Sequence, residues 1–96
     1  MKMTDEKINE LINRGASRWT KGGHDRLYIN PEIVGLECDY YKTGNIRYAE
    51  FNGEKISNSR AAKIKSIKSY IDIETGKLFT TSTDAEFTAA LNEFIG

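Results

Sequence analysis

Glycine-containing turns constrain the fold of this chain more than any other feature of its sequence. Four of them recur at short intervals: Gly22-Gly23, Thr43-Gly44-Asn45, Asn52-Gly53 and Glu74-Thr75-Gly76. Glycine and asparagine are favoured in tight β-turns, where the backbone adopts positive φ angles. Short segments rich in β-branched and aromatic residues flank these turns. The sequence therefore predicts three β-hairpins, at about residues 18–29, 37–51 and 70–81.

Three other segments have apolar residues at the three- and four-residue spacing of one helix face. The first follows Thr4, a helix-capping residue, and ends near Gly15. The second covers about residues 59–67, and the third begins with a capping box from Thr83 to Glu86. The chain is thus predicted to have helices at both ends and one between its second and third hairpins.

The predicted order of elements is α-β-β-β-β-α-β-β-α, with a further short strand at residues 54–56 before the central helix. Consecutive hairpins favour antiparallel pairing. We therefore expect an α+β fold in which an antiparallel sheet of three hairpins carries the helices on one face. A length of 96 residues is typical of one domain, so residues 1–96 are predicted to form a single domain.

The composition is that of a soluble globular protein, with 39% hydrophobic and 29% charged residues. No apolar run is long enough to cross a bilayer, so we expect no membrane partner. The first fifteen residues contain acidic side chains and are amphipathic, which is unlike a signal peptide. The single cysteine, Cys38, fits a reducing compartment. These features predict a cytoplasmic protein.

The formal net charge is zero, but residues 55–70 contain five basic residues and no acidic ones. Such a cluster can bind phosphates or an acidic protein surface. A solvated helix face balanced by acidic residues elsewhere in the chain explains the same pattern. We call this cluster the basic segment, and its members are Lys55, Arg60, Lys63, Lys65 and Lys68.

A second candidate surface consists of aromatic and arginine residues in the first two hairpins. Strand alternation places Arg26 and Tyr28 on the face opposite to Leu27. Tyrosine, tryptophan and arginine are enriched at the energetic centres of protein interfaces, and aromatic rings also stack on unpaired bases. Trp19 is predicted to lie in the core. The residues predicted to bind a partner are Arg26, Tyr28, Tyr41 and Arg47.

The sequence contains no catalytic motif. Its only histidine, His24, and its only cysteine, Cys38, could form a dyad, which makes a small enzyme a third hypothesis. Two potential ligands are too few for a tetrahedral zinc site, and Gly22-Gly23 lacks the spacing of a phosphate-binding loop. Asp39 and Glu50 are interpreted as solvated strand charges. We therefore predict no enzyme activity, no metal and no other cofactor.

Residues 18–30, 52–59 and 70–77 resemble small uncharacterised proteins carried by phages and mobile elements of AT-rich bacteria. The resemblance implies a protein that blocks host defence by binding a nuclease or its guide, as anti-CRISPR proteins do. No functional residue carries over from it.

These observations lead to two main hypotheses. The first is a small non-enzymatic inhibitor of a host defence nuclease that acts through protein–protein contacts with a host protein or ribonucleoprotein. The alternative is an RNA- or DNA-binding module that uses the basic helix at residues 55–68. The first and third hairpins are predicted to provide sheet edges, through which a homodimer could form.

Overall fold

The computed structural model describes residues 1–96 and confirms the α+β class and the predicted order of elements. A short 3-10 turn follows the first hairpin, and the predicted strand before the central helix is present. None of the helices combines the length and the apolar character that a bilayer crossing needs. The elements are α1 (Asp5–Asn13), β1 (Ser17–Lys21), β2 (His24–Tyr28), the 3-10 turn (Pro31–Val34), β3 (Leu36–Tyr40), β4 (Ile46–Phe51), β5 (Glu54–Ile56), α2 (Asn58–Lys65), β6 (Ser69–Asp72), β7 (Leu78–Thr80) and α3 (Ala85–Ile95).

The strands form two antiparallel sheets, whereas the sequence suggested that all three hairpins share one. The first and third hairpins join through β2 and β6, in the order β1-β2-β6-β7. The second hairpin pairs with β5 instead, in the order β3-β4-β5. The reason lies between β2 and β3, where Pro31 opens the 3-10 turn and Gly35 has a φ of +129°. This turn directs the second hairpin away from the first.

The core lies where the helices pack against the sheets. It contains 16 buried apolar residues, among them Leu11 of α1, Ile64 of α2 and Phe87 of α3. In β2 and β6 the buried residues alternate with more exposed ones, so that Leu27 and Ile71 enter the core. The strand residues on the opposite face of the four-stranded sheet contribute nothing to this core: Trp19 and Phe79 are exposed there, and Tyr28 and Tyr70 are half-buried. We describe this face as uncovered.

The helix caps agree with the sequence prediction at α1 and differ from it at α3. The Thr4 hydroxyl accepts a hydrogen bond from the Lys7 backbone N–H, as predicted. The predicted capping box at Thr83 is wrong, because α3 begins one residue later. Its cap is Asp84, whose carboxylate accepts a hydrogen bond from the Phe87 backbone N–H at 3.0 Å.

Replacing Ser57 with alanine is expected to lower the free energy of unfolding by about 1 kcal/mol. The Ser57 hydroxyl caps α2 by accepting a hydrogen bond from the Arg60 backbone N–H at 3.1 Å. Denaturant unfolding followed by circular dichroism measures the loss. The Ser57→Asp variant is the matched control, because a carboxylate keeps the acceptor and favours the helix N-terminus. Equal losses in the two variants would contradict a capping role.

Candidate functional site

The uncovered face of the four-stranded sheet carries a row of three aromatic side chains. The strand register places Tyr28 of β2 beside Tyr70 of β6, and Tyr70 beside Phe79 of β7. The ring centroids of Tyr28 and Tyr70 are 5.4 Å apart. Those of Tyr70 and Phe79 are 4.9 Å apart, with only 21° between the ring planes. The three rings therefore form a continuous aromatic strip across the sheet.

Arg26 lies beside this strip and is held by it. Its guanidinium carbon is 4.3 Å from the centroid of the Tyr70 ring, and its Nη1 donates a hydrogen bond to the Tyr28 hydroxyl at 3.3 Å. That hydrogen bond is the main cause that raises the pKa of Arg26. The guanidinium is charged at physiological pH, as in any arginine. Its Nε atom is buried and has no hydrogen-bond partner.

Arg26 differs from the other four arginines because it forms no ion pair. Arg14, Arg18, Arg47 and Arg60 each have a carboxylate oxygen within 4 Å. The guanidinium of Arg26 is instead packed on aromatic surface with its charge uncompensated by a carboxylate contact. An unpaired, positioned cation is available to an anionic partner.

A shallow depression of about 680 Å³ lies beside the aromatic strip. Three basic residues line it, Lys21, Arg26 and Lys68, and none of its lining residues is acidic. Trp19 and Tyr70 line it as well. We call this surface the outer face, and its residues are Trp19, Arg26, Tyr28, Tyr70 and Phe79, with Lys21 and Lys68 beside them.

Trp19 does not lie in the core, and that prediction was wrong. It is 66% exposed, the most exposed large hydrophobic side chain apart from Met1. Large aromatic residues are usually well buried, which motivated the prediction. In the structure, however, β1 is an edge strand whose five residues are all exposed. Pairing with Arg26 turns Trp19 toward the outer face.

The structure separates the four residues that were predicted to bind a partner. Arg26 and Tyr28 belong to the outer face. Tyr41 is 55% exposed and follows β3, while Arg47 lies on β4 and pairs with Asp39 at 3.1 Å. These last two residues therefore belong to the second hairpin and the other sheet. Neither of them is part of the outer face.

Sequence reasoning missed Tyr70 and Phe79, which complete the aromatic strip. Both lie in the predicted third hairpin, and alternation could have placed them on one face. Their position beside Tyr28 depends on the pairing of β2 with β6. That pairing joins segments far apart in the sequence, and no local pattern indicates it.

The basic segment does not form one continuous cationic surface. Arg60 is engaged by Asp84, with hydrogen bonds from Nε at 2.8 Å and from Nη2 at 3.0 Å. Glu86 adds a second carboxylate 3.6 Å from Arg60. For this arginine, the interpretation of a balanced helix face is confirmed.

The lysines of the basic segment point to different surroundings. Lys65 donates a hydrogen bond to the Tyr40 hydroxyl, which raises the pKa of the lysine. Lys55 is 5.7 Å from the ring of Tyr48 on the second sheet. Lys63 lines a polar depression beside α2, whereas Lys68 lines the depression on the outer face. Lys68 is therefore the only residue of the basic segment that adds charge to the outer face.

The two residues proposed for a catalytic dyad lie in different sheets. His24 is exposed on β2, and Cys38 is half-buried on β3. Asp39 and Glu50, interpreted as solvated strand charges, have partners of their own: Asp39 pairs with Arg47, and Glu50 accepts a hydrogen bond from Tyr48 at 2.9 Å.

Comparison with protein-family models, curated proteins and solved structures finds no match to this chain. The arrangement of the outer face suits binding, because its rings offer apolar area and its cations offer charge. We infer its function from these residues.

Proposed function

We propose that this chain is a small non-enzymatic binding protein of the host cytoplasm that inhibits a defence nuclease. It binds the nuclease through the outer face, and the nuclease is either free or in its ribonucleoprotein complex. The observation that supports this proposal is the exposure of Trp19 and Phe79 on the uncovered face of the four-stranded sheet. Phe79 stacks on Tyr70, and Trp19 lines the depression together with Tyr28 and Tyr70.

The residue types of the outer face support binding on energetic grounds. Tryptophan, tyrosine and arginine dominate the energetic centres of interfaces, since they bury large areas with few rotatable bonds. Here Tyr28, Tyr70 and Arg26 already constrain one another through a tilted ring contact, a cation–π contact and a hydrogen bond. A partner would therefore meet a surface that is largely preorganised, which lowers the entropic cost of binding.

The choice of a defence nuclease as the partner rests on the resemblance of residues 18–30, 52–59 and 70–77 to small phage and mobile-element proteins. A compact domain with one uncovered face suits an inhibitor that occludes a functional surface of a larger protein. The partner is accordingly proposed to be a host nuclease or its complex with guide RNA, as for anti-CRISPR proteins.

Replacing Trp19 and Phe79 together with alanine is expected to abolish inhibition. Each ring is proposed to contribute as an energetic centre of the interface, so each loss weakens binding about 30-fold or more. The measurement is survival of a targeted plasmid in bacteria that express one of a panel of CRISPR nucleases, with and without this protein. Wild type should restore survival, and the double variant should not.

The matched control for this experiment is the Tyr41→Ala, Arg47→Ala double variant. It also removes an exposed aromatic ring, but from the second hairpin, and it should keep full inhibition. If this variant loses inhibition and the Trp19→Ala, Phe79→Ala variant keeps it, the binding surface is the second hairpin and not the outer face. Absence of inhibition by wild type across the panel would contradict the inhibitor function itself.

A homodimer through a sheet edge stays a prediction. The edges of the four-stranded sheet are β1 and β7, as expected from the sequence. Of these, β1 is longer and fully exposed, and it is the better candidate for pairing with a second copy. Analytical ultracentrifugation tests this prediction directly.

A further inference from the structure

We propose that the outer face binds an unpaired nucleic-acid strand, and that this strand is the part of the ribonucleoprotein that the protein contacts. The inference deepens the proposed function and rests on it for the choice of surface. It also relocates nucleic-acid binding from the basic helix at residues 55–68 to the four-stranded sheet.

The first argument is the geometry of the aromatic side chains. Trp19 on β1 is 66% exposed, and Phe79 on β7 is 46% exposed. The two strands form opposite edges of the sheet, and three strand spacings of about 4.8 Å separate them by roughly 14 Å. Four-stranded sheets with aromatic rings on an open face hold two or three stacked bases in RNA-binding domains. The outer face has the same combination of sheet and exposed rings.

The second argument is charge complementarity. Lys21, Arg26 and Lys68 line the depression, form no ion pair, and have no acidic residue among the other lining residues. Asp72 is the cross-strand neighbour of Arg26, and its negative charge helps to raise the pKa of the guanidinium, but the two groups form no ion pair. A chain with zero net charge thus keeps three unpaired cations beside its exposed rings. Backbone phosphates would neutralise them.

The third argument distinguishes a nucleic acid from a protein partner. Lysine is depleted at protein interfaces, whereas phosphate-binding surfaces use lysine and arginine freely. Two of the three cations on the outer face are lysines, Lys21 and Lys68. An unpaired strand is favoured over a duplex, since only unpaired bases can offer their flat faces to Trp19 and Phe79.

Trp19 provides a direct test because it is the only tryptophan in the chain. Oligouridylate and oligothymidylate of about 12 nucleotides are titrated into the wild-type protein at low salt while tryptophan fluorescence is recorded. Stacking of a base on Trp19 should quench the emission. Three phosphate contacts predict that the logarithm of affinity falls with the logarithm of salt concentration with a slope of about −2. A duplex of the same length should quench far less.

Variants separate stacking from charge, with binding measured by the anisotropy of a labelled oligonucleotide. Phe79→Ala should weaken binding about tenfold or more, because one stacked base loses its platform. Lys21→Gln should reduce the magnitude of the salt slope by about 0.7. The matched controls, Tyr41→Ala and Lys42→Gln, alter an exposed ring and an exposed lysine of the second hairpin. Both should bind like wild type, and circular dichroism should show that every variant is folded.

The outcomes also distinguish the inference from the proposed function. Absence of quenching and of anisotropy change at low salt overturns nucleic-acid binding, as does equal weakening by Lys21→Gln and Lys42→Gln. If inhibition in cells still depends on Trp19 and Phe79, the proposed function then stands with a protein surface as the partner. Oligonucleotide binding without inhibition of any nuclease would instead support strand binding by the outer face, and it would remove both the inhibitor role and the assignment of the strand to a ribonucleoprotein.

Discussion

Replacing Phe87 with alanine is expected to lower the free energy of unfolding by about 3–5 kcal/mol. Phe87 is completely buried, and its ring centroid lies 6.2 Å from that of Phe51, so it joins α3 to the second sheet. Truncation removes apolar contact and leaves a cavity that the surrounding backbone can close only in part. Because small domains are stable by only about 5–15 kcal/mol, this variant should be close to unfolding at room temperature.

Denaturant unfolding followed by circular dichroism measures this effect, and Phe79→Ala is its matched control. The same ring is removed there from an exposed position, where it stacks on Tyr70 alone among the aromatic residues. A loss of about 1 kcal/mol is expected in the control. Similar losses in the two variants would contradict the assignment of Phe87 to folding and Phe79 to binding.

Replacing Asp84 with asparagine is expected to cost about 1–2 kcal/mol at neutral pH, because it removes a partly exposed ion pair with Arg60. The Asp84 carboxylate caps α3 through the Phe87 backbone N–H and receives two hydrogen bonds from Arg60. The side chains of Asp84 and Arg60 are 21% and 31% exposed, so solvent screens this ion pair only in part. Asparagine keeps a capping oxygen, so the loss comes from the ion pair, and Arg60 is left with Glu86 as its sole acidic partner.

The cost of this substitution should depend on pH. Hydrogen bonding to Arg60 is the main cause that lowers the pKa of Asp84 below its ordinary value of 3.8. The folded state therefore binds fewer protons than the unfolded state in this range, and stability rises with pH. The contribution of Asp84 is complete above about pH 5 and is lost as the pH falls through the folded-state pKa.

Urea unfolding of wild type and Asp84→Asn at about pH 7 and pH 3 measures this dependence. The difference between the two proteins should narrow in acid, because protonation gives wild-type Asp84 the same neutral character as asparagine. The stability difference between wild type and Arg60→Gln should also be smaller at pH 3 than at pH 7, because this variant removes the group that lowers the pKa of Asp84. A difference that is constant with pH would contradict a role for this ion pair in stability.

Features set by neighbouring residues could be predicted from the sequence. The alternation of Arg26, Leu27 and Tyr28 gave the correct two faces of β2. Glycine turns gave the hairpins, and the capping residue Thr4 gave the start of α1. Each of these depends on interactions within a few residues of the chain, which the sequence displays directly.

Features set by distant segments could not be predicted. Pairing of β2 with β6 brings Tyr70 beside Tyr28, and packing of α2 near the start of α3 brings Arg60 to Asp84. These contacts decided which aromatic residues form a surface and which basic residues are free. The exposure of Trp19 follows from the edge position of β1, and that position is a property of the whole sheet. Two of the four residues predicted to bind a partner, Arg26 and Tyr28, thus belong to the outer face. The other members of that face could be identified only from the tertiary structure.

The alternation of buried and exposed residues along the four-stranded sheet divides its sequence into two sets with different roles. Leu27 and Ile71 pack in the core and maintain the fold. Arg26 and Tyr70, which precede them in the sequence, lie on the outer face and are available for recognition. Natural selection or laboratory libraries can therefore vary the second set while the first keeps the scaffold intact. A gene under pressure to follow a changing target would gain from such a division, since new specificities need not compromise the stability of the protein.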